Sequence, residues 1–371
     1  MDDEVRASSG LDPNLRRRPH HRPPRGRGWA HRHRDDRAGG PLTTYAALDL
    51  GTNNCRLLVA RPTHEAFRVV DAFSRIIRLG EGVSLTGRIS EAAMDRAVEA
   101  LTICRDKMQA RRVTRARLIA TEACRAAANG REFLARVVEM VGLELEIVDR
   151  ETEALLAATG CTPLVDPHAQ SVILFDIGGG SSELVRLGRS RPADGGPPFP
   201  EIRAWSSLPV GVVTLAERHG GVQVDRQLYE TMVTEVAHYV EPFAATHRAD
   251  IGREAVHMLG TSGTVTTIAG VHLGLRRYDR RRVDGCWLTD RQVTRVLEQL
   301  LSMSYEDRVA NPCIGVERAD LVLAGCAILE AIRRAFPCAR LRVADRGLRE
   351  GMLVNLMRED GVWSNTGAPP P

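Results

Sequence analysis

Aromatic residues make up only 4% of this 371-residue chain, so its core must be packed from Leu, Val, Ile and Ala. No run approaches the ~18 consecutive apolar residues of a membrane-spanning helix, and the first forty residues lack the apolar segment of a secretory signal. The eight cysteines contain no C-x-x-C pair. Most lie in apolar or helical surroundings and read as reduced, small hydrophobes of a cytoplasmic protein, not as zinc ligands or a disulfide framework. The folded part also lacks a net charge. Residues 1–40 hold ten Arg and six acids, which accounts for the whole excess of +4 and leaves 41 basic against 41 acidic residues from 41 onward. The basic balance therefore belongs to the N-terminal stretch and gives no sign of a nucleic-acid groove on the body.

That stretch, 1–41, is rich in Arg, Pro, Gly and His and nearly free of aliphatic residues. It cannot bury enough apolar surface to offset its ordering entropy and is read as a disordered tail. Residues 361–371 are a second, Pro/Gly-rich tail. The length between them suits two domains, and 43% hydrophobic with 26% charged residues is ordinary for a globular protein.

The most informative stretch is 172–187. Val172–Phe175 reads as a buried strand, and Leu184–Leu187 as a second one returning after a tight turn. Between them stand Asp176, Gly178, Gly179, Gly180, Ser181, Ser182 and Glu183. Three glycines remove every Cβ at the turn, so backbone N–H groups can close on an anion. An acid on either side of such a loop is the arrangement wanted for phosphate plus a divalent cation. The plainer alternative is a structural hairpin with its acids in water.

The same construction occurs once before. Tyr45–Leu50 is a strand ending in Asp49-Leu50-Gly51-Thr52-Asn53-Asn54, Cys55–Ala60 is a second strand and Phe67–Phe73 a third. Asp49 and Asp176 thus hold equivalent places in an internal repeat of one supersecondary unit. Between the copies, Ser90–Arg111 reads as an amphipathic helix capped by Ser90, with Met94, Ala97, Val98, Leu101, Cys104 and Met108 on one face. A strand at 117–121 leads into a junction holding Arg125, then a helix at 130–141 and a strand at 143–148. The helix from Asp149 has an acidic first turn, which suits its dipole. Its Glu151 and Glu153 are two residues apart, so at most one of them faces a given site. After a loop at 160–171 and the second copy come a strand at 201–206, a long helix at 226–246, and a strand at 256–260 that delivers Gly260-Thr261-Ser262-Gly263-Thr264 to a helix start, a turn of anion-binding type. Helices at 290–303 and 317–335, a strand at 341–344 and a last helix to Met357 complete the pattern.

A duplicated strand–Asp-x-Gly-turn–strand unit resembles the actin, sugar-kinase and Hsp70 superfamily. Within it, four stretches are similar to the Ppx/GppA phosphatases, the exopolyphosphatase and guanosine pentaphosphate phosphatase family: 49–54, 176–185, Ser207-Leu208-Pro209-Val210-Gly211, and Gly347-Leu348-Arg349-Glu350-Gly351. The resemblance spans about 45–358. It implies an α/β fold of two duplicated ribonuclease-H-like (actin-like ATPase) domains with a cleft between them: domain I over 42–165, domain II over 166–345, and a C-terminal helix, 346–360, returning toward domain I. The chain resembles the short, two-domain form.

The resemblance also implies the chemistry. The family hydrolyses terminal phosphoanhydrides with Mg²⁺. By position Glu153 is the catalytic base, Asp176 and Arg125 are its catalytic companions, and Asp176, Glu183 and Asp49 are the metal ligands. Gly51, Thr52, Asn53 and Asn54, with Gly178, Gly179, Gly180, Ser181 and Ser182, are the phosphate-binding set. The chain departs from the pattern at Leu155, where the family carries Arg, at Thr152 in place of a second acid, and at Thr52 and Cys55 in place of Ser. The implied partners are inorganic polyphosphate or guanosine pentaphosphate (pppGpp), with no membrane and no specific nucleic acid; dimers occur in the family, so a homodimer is among the implied assemblies. The roles cohere, because phosphoryl transfer needs positioning, charge neutralisation and an oriented nucleophile more than covalent chemistry. Alternative readings are a sensor that binds pppGpp or polyphosphate without turnover, an ATP-dependent kinase of the same superfamily, and nucleic-acid binding through the Arg-rich tail.

Overall fold

A computed structural model of the chain describes residues 43–190, 199–251 and 256–363. The expected N-terminal tail, 1–41, lies outside the described residues, as does the C-terminal stretch from 364. Residues 361–363 are described. Val362 and Trp363 pack onto the core, and Trp363 Nε1 donates to the Thr63 carbonyl at 3.1 Å.

The strands form two sheets. The first is built from β1 (Tyr45–Leu50), β2 (Asn54–Pro62), β3 (Phe67–Ile76), β4 (Arg115–Ala120) and β5 (Glu146–Ile147), in the order β3-β2-β1-β4-β5. The second is built from β6 (Ser171–Ile177), β7 (Ser182–Ser190), β8 (Phe199–Leu208), β9 (Val256–Thr261), β10 (Trp287–Thr289) and β11 (Arg340–Ala344), in the order β10-β11-β9-β6-β7-β8. Taken from its other end, β8-β7-β6-β9-β11 repeats the first sheet: three antiparallel strands, then two that run parallel to the central one. β10 is an added antiparallel edge. These are two duplicated ribonuclease-H-like units, and the equivalence of Asp49 and Asp176 is real in three dimensions: each lies in the central strand of its sheet, one residue before that strand's end.

Each sheet buries both faces. The alternation of β1 sends Ala46, Leu48 and Leu50 to one side, against the helices Glu91–Ala110 and Gly130–Val141, and Tyr45 and Ala47 to the other, against Met352, Leu353 and Leu356. In β6, Ile173, Phe175 and Ile177 join the large core under the helices Arg226–Ile251 and Val322–Ala335, while Val172 and Leu174 meet Ala154, Ala158 and Cys161. The helices Arg150–Cys161 and Leu348–Glu359 therefore lie against inner faces of the sheets and touch each other. Their backbones approach closely. A Cβ on Gly351 would lie 2.0 Å from the Leu156 carbonyl oxygen, and one on Gly160 2.0 Å from that of Gly347. Glycine is required at both crossings for space.

Several boundaries differ from the sequence reading, and three of them bear on the elements around the site. The strand expected at 143–148 pairs only at Glu146–Ile147, against Ile119 and Ala120 of β4. The loop expected from 160 is helical to Cys161, with a 3-10 turn at Thr162–Leu164. The helix expected from 317 begins at Val322, and 317–321 is a turn.

Candidate active site

The turns that follow β1 and β6 face each other. Gly51 N donates to the Asn54 carbonyl at 2.9 Å, and Gly178 N to that of Ser181 at 3.0 Å, closing two similar loops. A Cβ on Gly179 would fall 2.9 Å from Thr52 Cβ, and one on Gly180 would fall 2.9 Å from both Thr52 Oγ1 and Glu122 Cγ. The glycine run is thus demanded by the close approach of the two turns. Thr52, buried, is wedged between that run and Gly80, whose own Cβ would overlap its Cγ2.

The acids gather behind these turns. Asp176 lies directly opposite Glu183 in the β6–β7 ladder. Asp49 is buried, and its Oδ1 has no protein partner. Burial raises the Asp49 carboxyl above the usual range, against the pull of Arg56 and Arg349. Burial lifts Asp176 to about 6, with Arg56 opposing and Asp49 reinforcing the rise. Glu153 is lifted to about 7 by burial, opposed by Arg125 and reinforced by the negative charges of Asp49 and Asp176. Glu183 lies well above the usual range through burial and the charges of Glu153 and Asp176, even though Ser181 Oγ and Ser207 Oγ donate to its Oε1 at 2.9 and 3.0 Å. Four carboxylates, three of them raised by the charge of another as well as by burial, share one poorly solvated space.

This acceptor set fits a divalent cation. An unpartnered Asp49 oxygen and mutually repelling carboxylates are what a positive charge relieves. Among the described residues no three carboxylates close into a ready cage, but Mg²⁺ takes only one or two carboxylates together with waters and phosphate oxygens.

Glu153 is held in place. It lies in the first turn of the helix Arg150–Cys161, whose N-cap Asp149 accepts from Thr152 N at 2.7 Å, and the neighbouring Glu151 is exposed. Arg125 Nη2 donates to Glu153 Oε2 at 3.1 Å. The rest of that guanidinium is taken: Nε and Nη2 go to Glu122 Oε2 at 2.9 and 2.5 Å, and Nη1 to the Val148 carbonyl at 2.6 Å. The Arg125 guanidinium is thus occupied by two carboxylates and a carbonyl. Ser182 is fully buried, with its Oγ donating to Val210 O at 2.7 Å. Ser181 is buried against Glu183. Asn53 and Asn54 bond to each other at 3.2 Å, and their Oδ1 and Nδ2, respectively, are buried without protein partners.

Two further cations, Arg56 and Arg349, face the acids, and a third, Arg318, lies near Arg56. Arg56 lies directly opposite Asp49 in the β1–β2 ladder. Arg349, in the Gly-Leu-Arg-Glu-Gly stretch, is near enough to pull on Asp49 and to feel the like charge of Arg56. Arg318, in the turn before Val322, also feels Arg56, and its Nη1 would lie 3.7 Å from a Cβ on Gly263 at the head of the helix Gly263–His272. All three are half-buried, and burial pushes Arg318 and Arg349 below the usual guanidinium range. Among the described residues none of them forms an ion pair. Arg56 had a readable signal: it follows Asp49 by seven residues, as Glu183 follows Asp176. Arg349 stood inside a motif already singled out. Arg318 had none.

The Ppx/GppA phosphatase family matches this chain over residues 58–360. The chain belongs to that family. It is a hydrolase of the phosphatase class. It is 28% identical over 334 residues to exopolyphosphatase 2 of Mycobacterium tuberculosis, an alignment covering 85% of this chain and 99% of that protein. It is 27% identical over 314 residues to the guanosine-5'-triphosphate,3'-diphosphate pyrophosphatase of Aeromonas hydrophila, covering 84% of this chain and 59% of that protein. Among solved structures, the Ppx/GppA family member of Aquifex aeolicus superposes with a TM-score of 0.70 at 27% identity, over 86% of this chain and 99% of its own. The two-sheet architecture is accordingly that of the actin-like ATPase fold. Among the described residues no helix is long and apolar enough to cross a membrane, and all eight cysteines are free thiols.

Proposed function

We propose that this protein is a cytoplasmic phosphohydrolase that releases the terminal phosphate of inorganic polyphosphate, of pppGpp, or of both, with Glu153 as the base. The observation that carries this reading is the gathering of Glu153, lifted to about 7 by burial, with Asp49 and Asp176, the two acids on which Arg56 acts; among the described residues Arg56 forms no ion pair. The names of its relatives, an exopolyphosphatase and a pppGpp phosphatase type, support the substrate class.

Each residue then has a task. Arg56, Arg318 and Arg349 hold the anionic oxygens of the terminal phosphates, since their mutual repulsion is relieved by an anion and their forks suit phosphate. The turns 51–54 and 178–180 bring backbone groups close to the same place. Glu153, kept in orientation by Arg125, accepts the proton of the attacking water, and a base poised near neutrality suits that transfer. Asp176, Glu183 and Asp49 are the residues that would hold Mg²⁺, which when bound supplies charge neutralisation at the transferring phosphate. The halves 42–165 and 166–345 serve as the two domains flanking the site, with 346–360 returning to the first, a reading supported by the packing of the helix Leu348–Glu359 on β1.

The test is phosphate release by purified protein from polyphosphate and from pppGpp, with Mg²⁺ and with EDTA, beside Glu153→Gln. Mg²⁺-dependent release abolished by Glu153→Gln is expected. Binding of either substrate without any release would overturn the hydrolytic reading.

A further inference from the structure

Residues 276–282 read Arg-Arg-Tyr-Asp-Arg-Arg-Arg, a concentration of charge that the catalytic reading does not use. Arg280 is turned inward, its Nη2 donating to the Asp345 carbonyl at 2.5 Å and to Glu350 Oε1 at 2.8 Å. Arg276, Arg277, Arg281 and Arg282 are exposed, and among the described residues none of them forms an ion pair. The nearby acids are committed elsewhere. Asp279 caps the turn by accepting from Arg281 N at 3.0 Å, Asp284 binds Arg346, and Asp345 accepts from Tyr278 OH at 2.7 Å.

The segment is joined to the arginines of the site. Tyr278 is anchored to Asp345, four residues before Arg349. Arg318 feels the charges of both Tyr278 and Asp345, and Arg349 in turn acts on Asp345. Tyr278 thus links the surroundings of Arg318 and Arg349 to a segment that carries four exposed arginines. Resting on the hydrolase reading above, we infer that Arg276, Arg277, Arg281 and Arg282 form an outer subsite for the distal phosphates of a polyphosphate chain whose terminal phosphate occupies the site. A linear polyanion that fills both places gains affinity through each neutralised charge. A pppGpp molecule continues from its triphosphate into a nucleoside bearing a single diphosphate and not into a long run of phosphates. A nucleic acid fits less well, because the segment offers one exposed aromatic ring, and its hydroxyl is tied to Asp345.

The test uses the full chain with the four arginines replaced together by Gln, and separately together by Lys. Arg280 is left in place because it holds the segment. For long-chain polyphosphate the Gln variant should show a KM raised on the order of tenfold and a shallower salt dependence, with kcat unchanged. Tripolyphosphate should be hydrolysed as by the parent, and the Lys variant should recover most of the lost affinity. An unchanged KM for long chains, or an equal loss on tripolyphosphate, would overturn the outer subsite. So would competition by single-stranded RNA as effective as that by polyphosphate. Equilibrium binding of labelled long-chain polyphosphate to the parent and Gln variants reads the subsite even if no hydrolysis occurs: weaker binding by the Gln variant supports it and equal binding overturns it.

Discussion

Arg56 stands directly across the β1–β2 ladder from Asp49, in the place that Glu183 occupies opposite Asp176 in the second copy. Duplication has kept the acid at the end of each central strand and reversed the charge of its cross-strand neighbour. Directly opposite residues share one face of a sheet, so one copy contributes two acids and the other an acid and a cation. On the proposed reading, that one difference supplies groups for a cation on one side and for phosphate on the other.

Arg56→Gln should therefore act on both sides of the balance. With a phosphate-holding cation removed, kcat/KM for tripolyphosphate should fall by about 10²–10³-fold, the range seen for single preorganised charge-stabilising groups. Steady-state kinetics at saturating Mg²⁺ checks it, and a change within about twofold, the size of a surface charge effect, would remove Arg56 from the site.

Arg125 and Glu153 give a pH prediction. The Glu153 carboxyl, at about 7 with Arg125 opposing the rise, must be deprotonated to act as a base. Activity should increase as pH rises through the acidic limb. Arg125→Ala removes the largest influence holding that carboxyl down, so its limb should move to higher pH while the alkaline side is unaffected. A bound cation would lower the limb in both proteins and leave the direction of the difference unchanged. A pH–rate profile of Arg125→Ala that differs from the parent only in height would contradict the positioning role.

The raised acids also set a stability trend for the metal-free protein. Asp176 at about 6 and Glu153 at about 7 lie above their ordinary 3.8 and 4.5. Across that window the folded state binds more protons than the unfolded state, so the contribution of these groups is present at low pH and is lost as pH rises through the folded values. Thermal unfolding should show the gain in melting temperature from added Mg²⁺ to be larger at pH 8 than at pH 5. An equal gain at both would show that these carboxylates do not meet the cation.

Gly351 supports the crossing of the helices Arg150–Cys161 and Leu348–Glu359, where an added methyl would lie 2.0 Å from the Leu156 carbonyl oxygen. Backbone cannot yield as a side chain does, so Gly351→Ala should destabilise by about 1–3 kcal/mol through overpacking. Since the helix carrying Glu153 must shift to accommodate it, activity should fall more than the folded fraction. Denaturant melts and kinetics on the same sample separate the two losses.

Much of this was legible locally. Tyr45–Leu50 was readable in full as a strand, and the helix at Gly130–Val141 likewise, because an apolar run and a 3.6-residue period are written in neighbouring residues. Ser90 was recognisable as a helix cap, and its Oγ accepts from Ala93 N. The choice between Glu151 and Glu153 was limited to one by helix geometry and fell to the half-buried Glu153. Leu143–Val148 was overread as strand, because its composition could not reveal that only two of its residues would meet β4.

What the amino-acid order determined by itself was the duplication, the acids at the ends of the central strands, and the glycine turns beside them, all of which depend on residues within a few positions of one another. The tertiary structure alone decided which charge meets which. It gave the Arg125 guanidinium to Glu122 and Glu153, buried the Ser182 hydroxyl on Val210, and brought Arg318 and Arg349 near Arg56 across more than 250 residues of chain. The reason is physical: a strand or turn is stabilised by its own neighbours, whereas the partner of a charged side chain is set by where remote elements pack.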